Sequence, residues 1–173
     1  MIKYMNKEAE YWKLKLGLSE LLGEGGYYKE TYRSDKAITL QFEKNGERSI
    51  STLIYYLLDG NQFSALHKLI SDEIWHFYVG SSLTLYVIDE KGDLEHIKLG
   101  NNLEDGESFH AVVKAHCWFG AKVNNRSSYS LLGCVVSPGF DYKDYELGER
   151  KKLVEAYPQH RSIIEELTRI PDG

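Results

Sequence analysis

The sequence contains little cysteine and little proline. Only two cysteines, Cys117 and Cys134, and three prolines occur among 173 residues. Two thiols cannot form a disulfide framework or a four-cysteine zinc site, so we expect both cysteines to pack as small apolar side chains in strands. The scarcity of proline, together with an aromatic content of 13%, excludes a low-complexity or disordered chain.

An excess of positive charge and a long hydrophobic run are also missing. Lysine and arginine number 21 against 26 aspartates and glutamates, and a formal net charge of -5 argues against nucleic acid as a partner. The longest apolar stretches, residues 53–58 and 131–136, are far shorter than the roughly 20 residues that cross a bilayer. Residues 1–10 lack the apolar segment of a secretory signal. We therefore expect a cytoplasmic protein that binds neither nucleic acid nor membrane.

What is present is the composition of an ordinary globular domain. Hydrophobic residues make up 42% of the chain and charged residues 27%, which is enough to bury a sizeable core. The sequence shows no internal repeat, linker or low-complexity block. Residues 1–173 are therefore predicted to form a single domain.

Short segments rich in tyrosine, threonine, isoleucine and valine predict strands through the middle of the chain. Turn-forming pairs such as Asn45-Gly46 and Asp59-Gly60 separate these segments. The predicted strands are residues 27–32, 38–42, 51–58, 64–69, 74–79, 83–88, 94–98, 109–113, 117–122 and 130–136. Strands at this spacing, without helices between them, indicate an antiparallel sandwich or barrel.

Helices are predicted only near the two ends of the chain. Residues 6–16 have a helical mixture of apolar and charged side chains that ends at Gly17, a residue suited to a helix C-terminus. Near the other end, residues 149–156 and 159–167 are predicted to be helical, with Pro158 in the first turn of the second helix.

One strand combines acidic, histidine and aromatic side chains. Strand alternation predicts one face with Glu73, Trp75, Phe77 and Val79, and an opposite face with Ile74, His76 and Tyr78. A carboxylate on an apolar face needs a partner, because burying it unpaired is costly. The nearest predicted partner is His67, and ion pairs with Lys68 or Arg33 are the alternatives.

The region around this strand resembles the first signature of the cupins. His67, Glu73 and Gly80 match its spacing, whereas Leu69 stands at the position of its second histidine. Phe119 stands where the second cupin signature has a metal-binding histidine. The resemblance therefore implies that two of the four usual metal ligands are replaced by apolar side chains, and we expect no metal and no other cofactor.

Longer motifs resemble one cupin family in particular. They are Glu24-Gly25-Gly26-Tyr27-Tyr28, Ser71-Asp72-Glu73-Ile74-Trp75-His76-Phe77-Tyr78, Trp118-Phe119, Ser137-Pro138-Gly139-Phe140 and Tyr157-Pro158. The chain departs from the family at Leu22-Gly23 and at Lys114-Ala115-His116, where a turn with positive φ is expected at His116. The resemblance implies an all-β double-stranded β-helix, the cupin jelly-roll barrel, which is usually paired into a homodimer and has no assigned reaction.

The resemblance places His67 and Glu73 at the pocket of the barrel, and we interpret them as candidate catalytic residues. His67 is predicted to act as a general base, with Glu73 orienting it or raising its pKa through its negative charge. Candidate ligand-binding residues are the aromatic side chains of Trp75, Phe77, Tyr56 and Phe119. Tyr56 or Tyr78 is the candidate for returning the proton.

Three functions agree with these residues. The first is a metal-independent epimerase or isomerase, and the second is a non-catalytic module that binds a small molecule such as a carbohydrate or sugar nucleotide. The third is a metal-dependent enzyme in which His76 or His116 completes a site begun by His67 and Glu73. A homodimer is expected, because residues 51–58 and 74–78 are apolar or aromatic on both strand faces.

Overall fold

The computed structural model describes residues 7–40 and 46–170. Two antiparallel sheets dominate this part of the chain, and the α-helices lie near its ends. The elements are α1 (Lys7–Leu16), β1 (Ser19–Glu20), β2 (Tyr27–Arg33), β3 (Ala37–Thr39), β4 (Glu47–Ser49), β5 (Thr52–Asp59), β6 (Phe63–Leu69), β7 (Asp72–Gly80), β8 (Leu83–Ile88), β9 (Leu94–Leu99), β10 (His110–Val113), β11 (Trp118–Val123), β12 (Tyr129–Ser137), β13 (Tyr145–Leu147), α2 (Arg150–Ala156) and α3 (Arg161–Glu166).

The larger sheet has six strands in the order β1-β2-β5-β12-β7-β10, and the second has five in the order β13-β6-β11-β8-β9. A short separate hairpin joins β3 and β4. The main core lies between the two larger sheets, where Trp75 and Leu132 of one sheet share a buried cluster with Leu85 and Phe119 of the other. The predicted jelly-roll barrel with helices at the chain ends is thereby confirmed.

The helices cover the outer surfaces of the barrel. Helix α1 packs on the six-stranded sheet, where Ala9 joins a buried cluster with Leu57 and Leu131, and Trp12 Nε1 donates to the Tyr129 hydroxyl at 2.8 Å. Helices α2 and α3 bury their apolar side chains against Leu66 on the second sheet. Among the described residues, no helix is long and apolar enough to cross a membrane.

The strand prediction is close for the long segments and incomplete for the short ones. Strand β8 begins and ends as predicted, at Leu83–Ile88. The sequence does not predict the short strands β1, β4 and β13, because two or three residues are too few to show an alternating pattern. Strand β3 ends at Thr39, and the remainder of the predicted strand 38–42 lies largely outside the described residues.

The alternation along β7 holds for most of its length. Glu73, Trp75 and Phe77 are buried in the barrel, as predicted. The prediction for Val79 is wrong, because a bulge in the pairing with β12 skips one residue and aligns Val79 with Leu131 of the outer cluster. Val79 is accordingly 37% exposed.

The predicted backbone features at two loops are confirmed. His116 has a φ of 66°, in the left-handed region that histidine tolerates better than most residues. Gly17 follows α1 with a φ of 63°, as expected for a glycine at a helix C-terminus. Both cysteines are free and buried, with Cys134 in β12.

Candidate functional site

A cavity of about 570 Å³ opens between the two sheets at one end of the barrel. The six-stranded sheet contributes residues of β2, β5, β7 and β12, and the second sheet contributes residues of β6 and β13. The segment 140–142 completes the rim. This volume is in the range of sites that hold small metabolites.

Two buried polar atoms on β7 have no hydrogen-bond partner among the described residues. They are Oε2 of Glu73 and Nε1 of Trp75, and both side chains line the cavity. Glu73 is only 7% exposed, and leaving such a group unpaired costs about 1–3 kcal/mol. Glu73 and Trp75 therefore present to the cavity two polar atoms that form no hydrogen bond with a described residue, although the Trp75 and Cys134 side chains lie near enough to Glu73 to offset part of the rise in its pKa that burial causes.

The Glu73 carboxyl is held in its neutral form at neutral pH. Burial, and next the negative charge of Glu24, raise the pKa of Glu73 to about 8. A protonated carboxyl can donate a hydrogen bond or a proton, which an ionised one cannot. Glu73 is therefore suited to act as a general acid at neutral pH.

His67 on β6 is enclosed between two aromatic rings. Its ring centroid lies 4.1 Å from that of Phe119 and 5.4 Å from that of Tyr145, with which it stacks. Nδ1 lies 2.7 Å from the carbonyl oxygen of Ala65. Because a carbonyl only accepts, Nδ1 carries the proton, and the lone pair of neutral His67 is on Nε2. Nε2 is thus the basic atom.

The acid nearest to His67 is Glu24, which the sequence analysis did not select. Its Oε2 lies 3.9 Å from Nε2 of His67, and its Oε1 accepts a hydrogen bond from Ser64 Oγ at 2.9 Å. The prediction that Glu73 is paired with His67 is wrong, because Oε2 of Glu73 has no partner among the described residues. The alternatives are also excluded, since Lys68 binds Glu146 and Arg33 binds Glu30.

The two glycines after Glu24 explain how it reaches the cavity. Gly26 has a φ of 79°, and a Cβ there would lie 2.8 Å from the Tyr56 hydroxyl. A Cβ on Gly25 would overlap the carbonyl oxygen of Phe63. Only glycine allows this close approach, which brings the backbone of Glu24 against β6. The Glu-Gly-Gly motif was the sequence signal for this residue, but it was used only as part of the family resemblance, and no role was assigned to Glu24.

An ion pair lies at the rim of the cavity. Nε and Nη2 of Arg33 donate to the two carboxylate oxygens of Glu30 at 3.0 and 2.7 Å. Nη1 of Arg33 donates to the Phe140 carbonyl at 3.1 Å. Asp141 lies beside them, and a hydrogen bond from the Lys143 backbone N–H holds the pKa of Asp141 below its usual value.

Comparison with known proteins agrees with this architecture. The family described as Cupin superfamily (DUF985) matches residues 10–148. The chain belongs to this family. The protein of Saccharomyces cerevisiae named uncharacterized protein YML079W is 31% identical over 134 residues, which are 70% of this chain and 66% of the yeast protein.

Solved structures of two cupin relatives cover almost the whole chain. Protein SO0799 of Shewanella oneidensis is 38% identical, with a TM-score of 0.84 over 93% of this chain and 97% of that one. A hypothetical protein from Leishmania major is 34% identical, with a TM-score of 0.86 over 94% and 99%. Oxalate decarboxylase of Bacillus subtilis is 14% identical, with a TM-score of 0.53 over 87% of this chain and 37% of its own, and shares the fold alone.

The usual cupin metal does not fit this barrel. The cupin resemblance assigns four ligand positions, and two of them hold the apolar side chains of Leu69 and Phe119, which offer no donor atom and are buried. His76 lies on the face of β7 opposite Glu73, and His116 is exposed, so neither supplies a missing ligand. Within residues 7–40 and 46–170, no three His, Cys, Asp or Glu side chains are grouped to hold a metal ion.

The aromatic residues predicted to bind ligand divide into two groups. Trp75 and Tyr56 line the cavity, where the Tyr56 hydroxyl donates to the Gly25 carbonyl at 2.9 Å. As a correction, Phe77 and Phe119 pack in the core and are not part of the lining, although Phe119 supports the ring of His67. Tyr78 is 47% exposed on the outer face of β7, and this position excludes it from proton return in the cavity.

The structure adds Tyr145 to the lining. This residue begins the short strand β13, which pairs with β6 so that Tyr145 lies opposite Leu69. Burial, and next the charge of Glu24, raise the pKa of the Tyr145 hydroxyl well above its ordinary value. No sequence pattern indicated this residue, because its position depends on a three-residue strand distant from β6 in the chain.

Proposed function

We propose that the cavity binds a small metabolite with a carbonyl group and that His67 and Glu73 catalyse its isomerisation or epimerisation without a metal. The observation that carries this proposal is the unpaired Oε2 of buried Glu73, next to the unpaired Nε1 of Trp75, in a cavity of about 570 Å³. A ligand with both donor and acceptor groups satisfies both atoms at once.

The proposed reaction is a proton transfer next to the carbonyl. Nε2 of His67 takes a proton from the adjacent carbon, the C–H electron pair forms a C=C bond, and the carbonyl oxygen takes the proton of Glu73. In a substrate with a hydroxyl on that adjacent carbon, the product is an enediol. Isomerisation is completed when imidazolium delivers its proton to the former carbonyl carbon, the Glu73 carboxylate takes the proton of the neighbouring hydroxyl, and that hydroxyl's C–O bond becomes the new C=O bond. Epimerisation requires instead that the proton return to the original carbon on its opposite face. General acid–base catalysis of this kind contributes typically 10²–10⁴-fold to a rate.

Solvent exchange tests the proposal directly. The protein is incubated in D₂O with a panel of aldoses, ketoses and amino sugars, and loss of the signal of the hydrogen next to the carbonyl is followed by proton NMR. We expect catalysed exchange with at least one compound. The Glu73→Gln variant should exchange at least about 100-fold more slowly.

The control variant for this experiment is His76→Gln, which changes the same strand on its outer face. Exchange by this variant should stay within about two-fold of the unaltered protein, because its side chain does not line the cavity. A Glu73→Gln variant that keeps full exchange activity would contradict the catalytic role.

One observation favours a second candidate, a binding module without catalysis. The Tyr56 hydroxyl donates to the Gly25 carbonyl, so the tyrosine expected to return the proton is already engaged. Saturable binding of a panel compound without any solvent exchange would support this second function and reject the first.

We also propose that the protein is a homodimer formed through the edge of the larger sheet. Strand β10 is an edge strand of that sheet; its Val112 is 43% exposed, and Phe109, which precedes the strand, is 52% exposed. Tyr78 and Val79 of β7 add exposed apolar surface nearby. Pairing of two β10 strands across a two-fold axis satisfies their backbone groups and protects the edge.

A further inference from the structure

The charged groups that line the cavity are strongly unbalanced in sign. Four of them are carboxyls, namely Glu24, Glu30, Glu73 and Asp141. The single guanidinium, that of Arg33, already donates to both oxygens of Glu30 and to the Phe140 carbonyl. Among the described lining residues, no lysine or unengaged arginine therefore remains to bind an anionic group.

The imbalance is greatest deep in the cavity. Glu24 and Glu73 are both buried, and the charge of Glu24 acts on Glu73. Ser64 Oγ donates to Oε1 of Glu24, and the nearest base, Nε2 of His67, is 3.9 Å from Oε2. Because burial disfavours ionisation and two ionised carboxylates in one apolar space would repel each other, Glu73 keeps its proton when no cation is bound, and a cation bound between the two groups favours the ionised form of both.

The remaining lining suits a cation as well. Trp75 and Tyr56 meet edge to face with ring centroids 5.5 Å apart, and Tyr145 and Tyr28 also border the cavity. The faces of aromatic rings carry negative potential and attract ammonium groups, most strongly where water is excluded. Nε1–H of Trp75 forms no hydrogen bond with a described residue and is available to donate to an oxygen on the ligand.

We infer that the ligand is a small amine in its protonated form that carries a hydroxyl or carbonyl oxygen near the nitrogen. The ammonium donates to the carboxyls of Glu73 and Glu24, and the oxygen accepts from Nε1 of Trp75. Amino sugars and amino alcohols belong to this class. The inference rests on the proposed function only in taking the cavity as the ligand site.

This assignment disfavours phosphorylated sugars and sugar nucleotides. Such a ligand brings negative charge toward Glu24 and Glu73, and like charges at close range in a recognition site oppose binding. At the rim, an anion would have to share the Arg33 guanidinium with the Glu30 carboxylate that it already binds, beside the carboxyl of Asp141.

Two series of probes of similar size, each with a cationic, a neutral and an anionic member, test the inference. One is D-glucosamine, D-glucose and D-glucuronate, and the other is ethanolamine, ethylene glycol and glycolate. Dissociation constants are measured by isothermal titration calorimetry at a pH below the pKa of each amine. We expect at least one amine to bind ten-fold or more tightly than its neutral analogue and the acids to bind more weakly than both.

Matched variants locate the effect. Glu73→Gln and Glu24→Gln should each weaken binding of that amine at least ten-fold and change binding of the neutral analogue less than three-fold. Glu146→Gln is the control, since it removes a surface carboxylate paired with Lys68 and should change neither affinity. Thermal melting establishes that each variant is folded.

The outcomes separate this inference from the proposed reaction. Amines that bind no more tightly than their neutral analogues in both series overturn the inference, even if solvent exchange proceeds with a neutral sugar. Tight amine binding without solvent exchange supports the inference and rejects catalysis. Amine preference that persists in both Glu73→Gln and Glu24→Gln places the binding elsewhere and also overturns it.

Discussion

The two faces of strand β7 are unusual in opposite ways. The inner face, in the apolar interior, holds the unpaired polar atoms of Glu73 and Trp75. The outer face is where polar side chains are expected, yet Tyr78 and Val79 are 47% and 37% exposed there. The inner face therefore has polar atoms without a hydrogen-bond partner among the described residues, and the outer face has apolar side chains without a covering surface.

This difference shows that one strand can serve two separate interactions. An unpaired buried group costs free energy that a hydrogen-bonding ligand recovers, whereas exposed apolar area is covered by another surface. Because successive side chains point to opposite faces, a ligand on the inside and a partner chain on the outside do not compete for the same residues. The predictions below test whether the two faces are independent.

The largest difference between the faces is expected in stability. Trp75→Ala removes a buried ring that packs on Tyr56 and Phe119, and should lower the free energy of unfolding by about 3–5 kcal/mol. Tyr78→Ala removes a half-exposed ring and should cost less than about 1 kcal/mol. Urea denaturation of both variants measures the difference.

Equal costs for the two variants would show that the outer ring is as fully buried as the inner one. A cost above about 3 kcal/mol for Tyr78→Ala would mean that a partner chain buries the outer ring as fully as the core buries Trp75. Repeating the denaturation at several protein concentrations distinguishes this case, because the stability of a dimer depends on concentration.

The next prediction concerns the pH dependence of the unfolding free energy, which we expect from Glu73 on the inner face. Glu73 has an ordinary pKa of 4.5, which is raised to about 8 in the folded protein. Between these values the folded state binds a proton that the unfolded state releases, so this group's contribution to stability is present below pH 4.5 and is lost as pH rises toward about 8. The loss is about 1.4 kcal/mol for each pH unit within this window.

The variant Glu73→Gln should remove this dependence. Urea denaturation at several pH values from 5.5 to 7.5 measures the unfolding free energy of both proteins. As the pH rises, the variant should become more stable relative to the unaltered protein. His76→Gln provides the comparison on the outer face. A difference for Glu73→Gln that stays constant across this range would show that the carboxyl is already ionised at pH 5.5.

The sequence predicts the parts of this fold that have long periodic strands. Alternation in β7 placed Glu73 and Trp75 inside, and the cupin spacing selected His67. The bulge that turns Val79 outward was not predictable, because it is set by pairing with β12 rather than by β7 itself. Alternation in the sequence therefore identifies the residues that face the barrel interior only where the strand pairing has no bulge.

The residues that the sequence analysis missed come from segments without a pattern. Glu24 follows a two-residue strand, and Tyr145 opens a three-residue strand that pairs with β6 from far along the chain. Their positions depend on long-range pairing and on the close approach at Gly25 and Gly26, which local propensity does not encode. The nearest acid to His67 was for this reason predicted as Glu73 instead of Glu24.

A smaller effect is expected when the histidines of the two faces are compared. His67→Gln disturbs a buried ring that is bonded to the Ala65 carbonyl and stacked on Tyr145, and should cost about 1–3 kcal/mol. His76→Gln should change stability by less than about 0.5 kcal/mol, because this side chain is only partly buried. Thermal or urea unfolding measures both. A larger cost at His76 would show that the outer face is covered.

The smallest effect on folding is expected at the edge of the sheet. Val112→Lys places a charge on the exposed outer surface of β10, beside the edge through which we propose that two chains pair. Charged side chains on an edge strand oppose pairing with another strand. Light scattering should give a dimer for the unaltered protein and a monomer for the variant, with solvent exchange in the cavity unchanged. Since Val112 is 43% exposed within one chain, the intrinsic stability of that chain should change by less than about 0.5 kcal/mol.

A monomer for both proteins would leave the exposed side chains of Phe109 and Val112 without a partner chain and would refute the dimer. A dimer in both would place the contact elsewhere on the barrel.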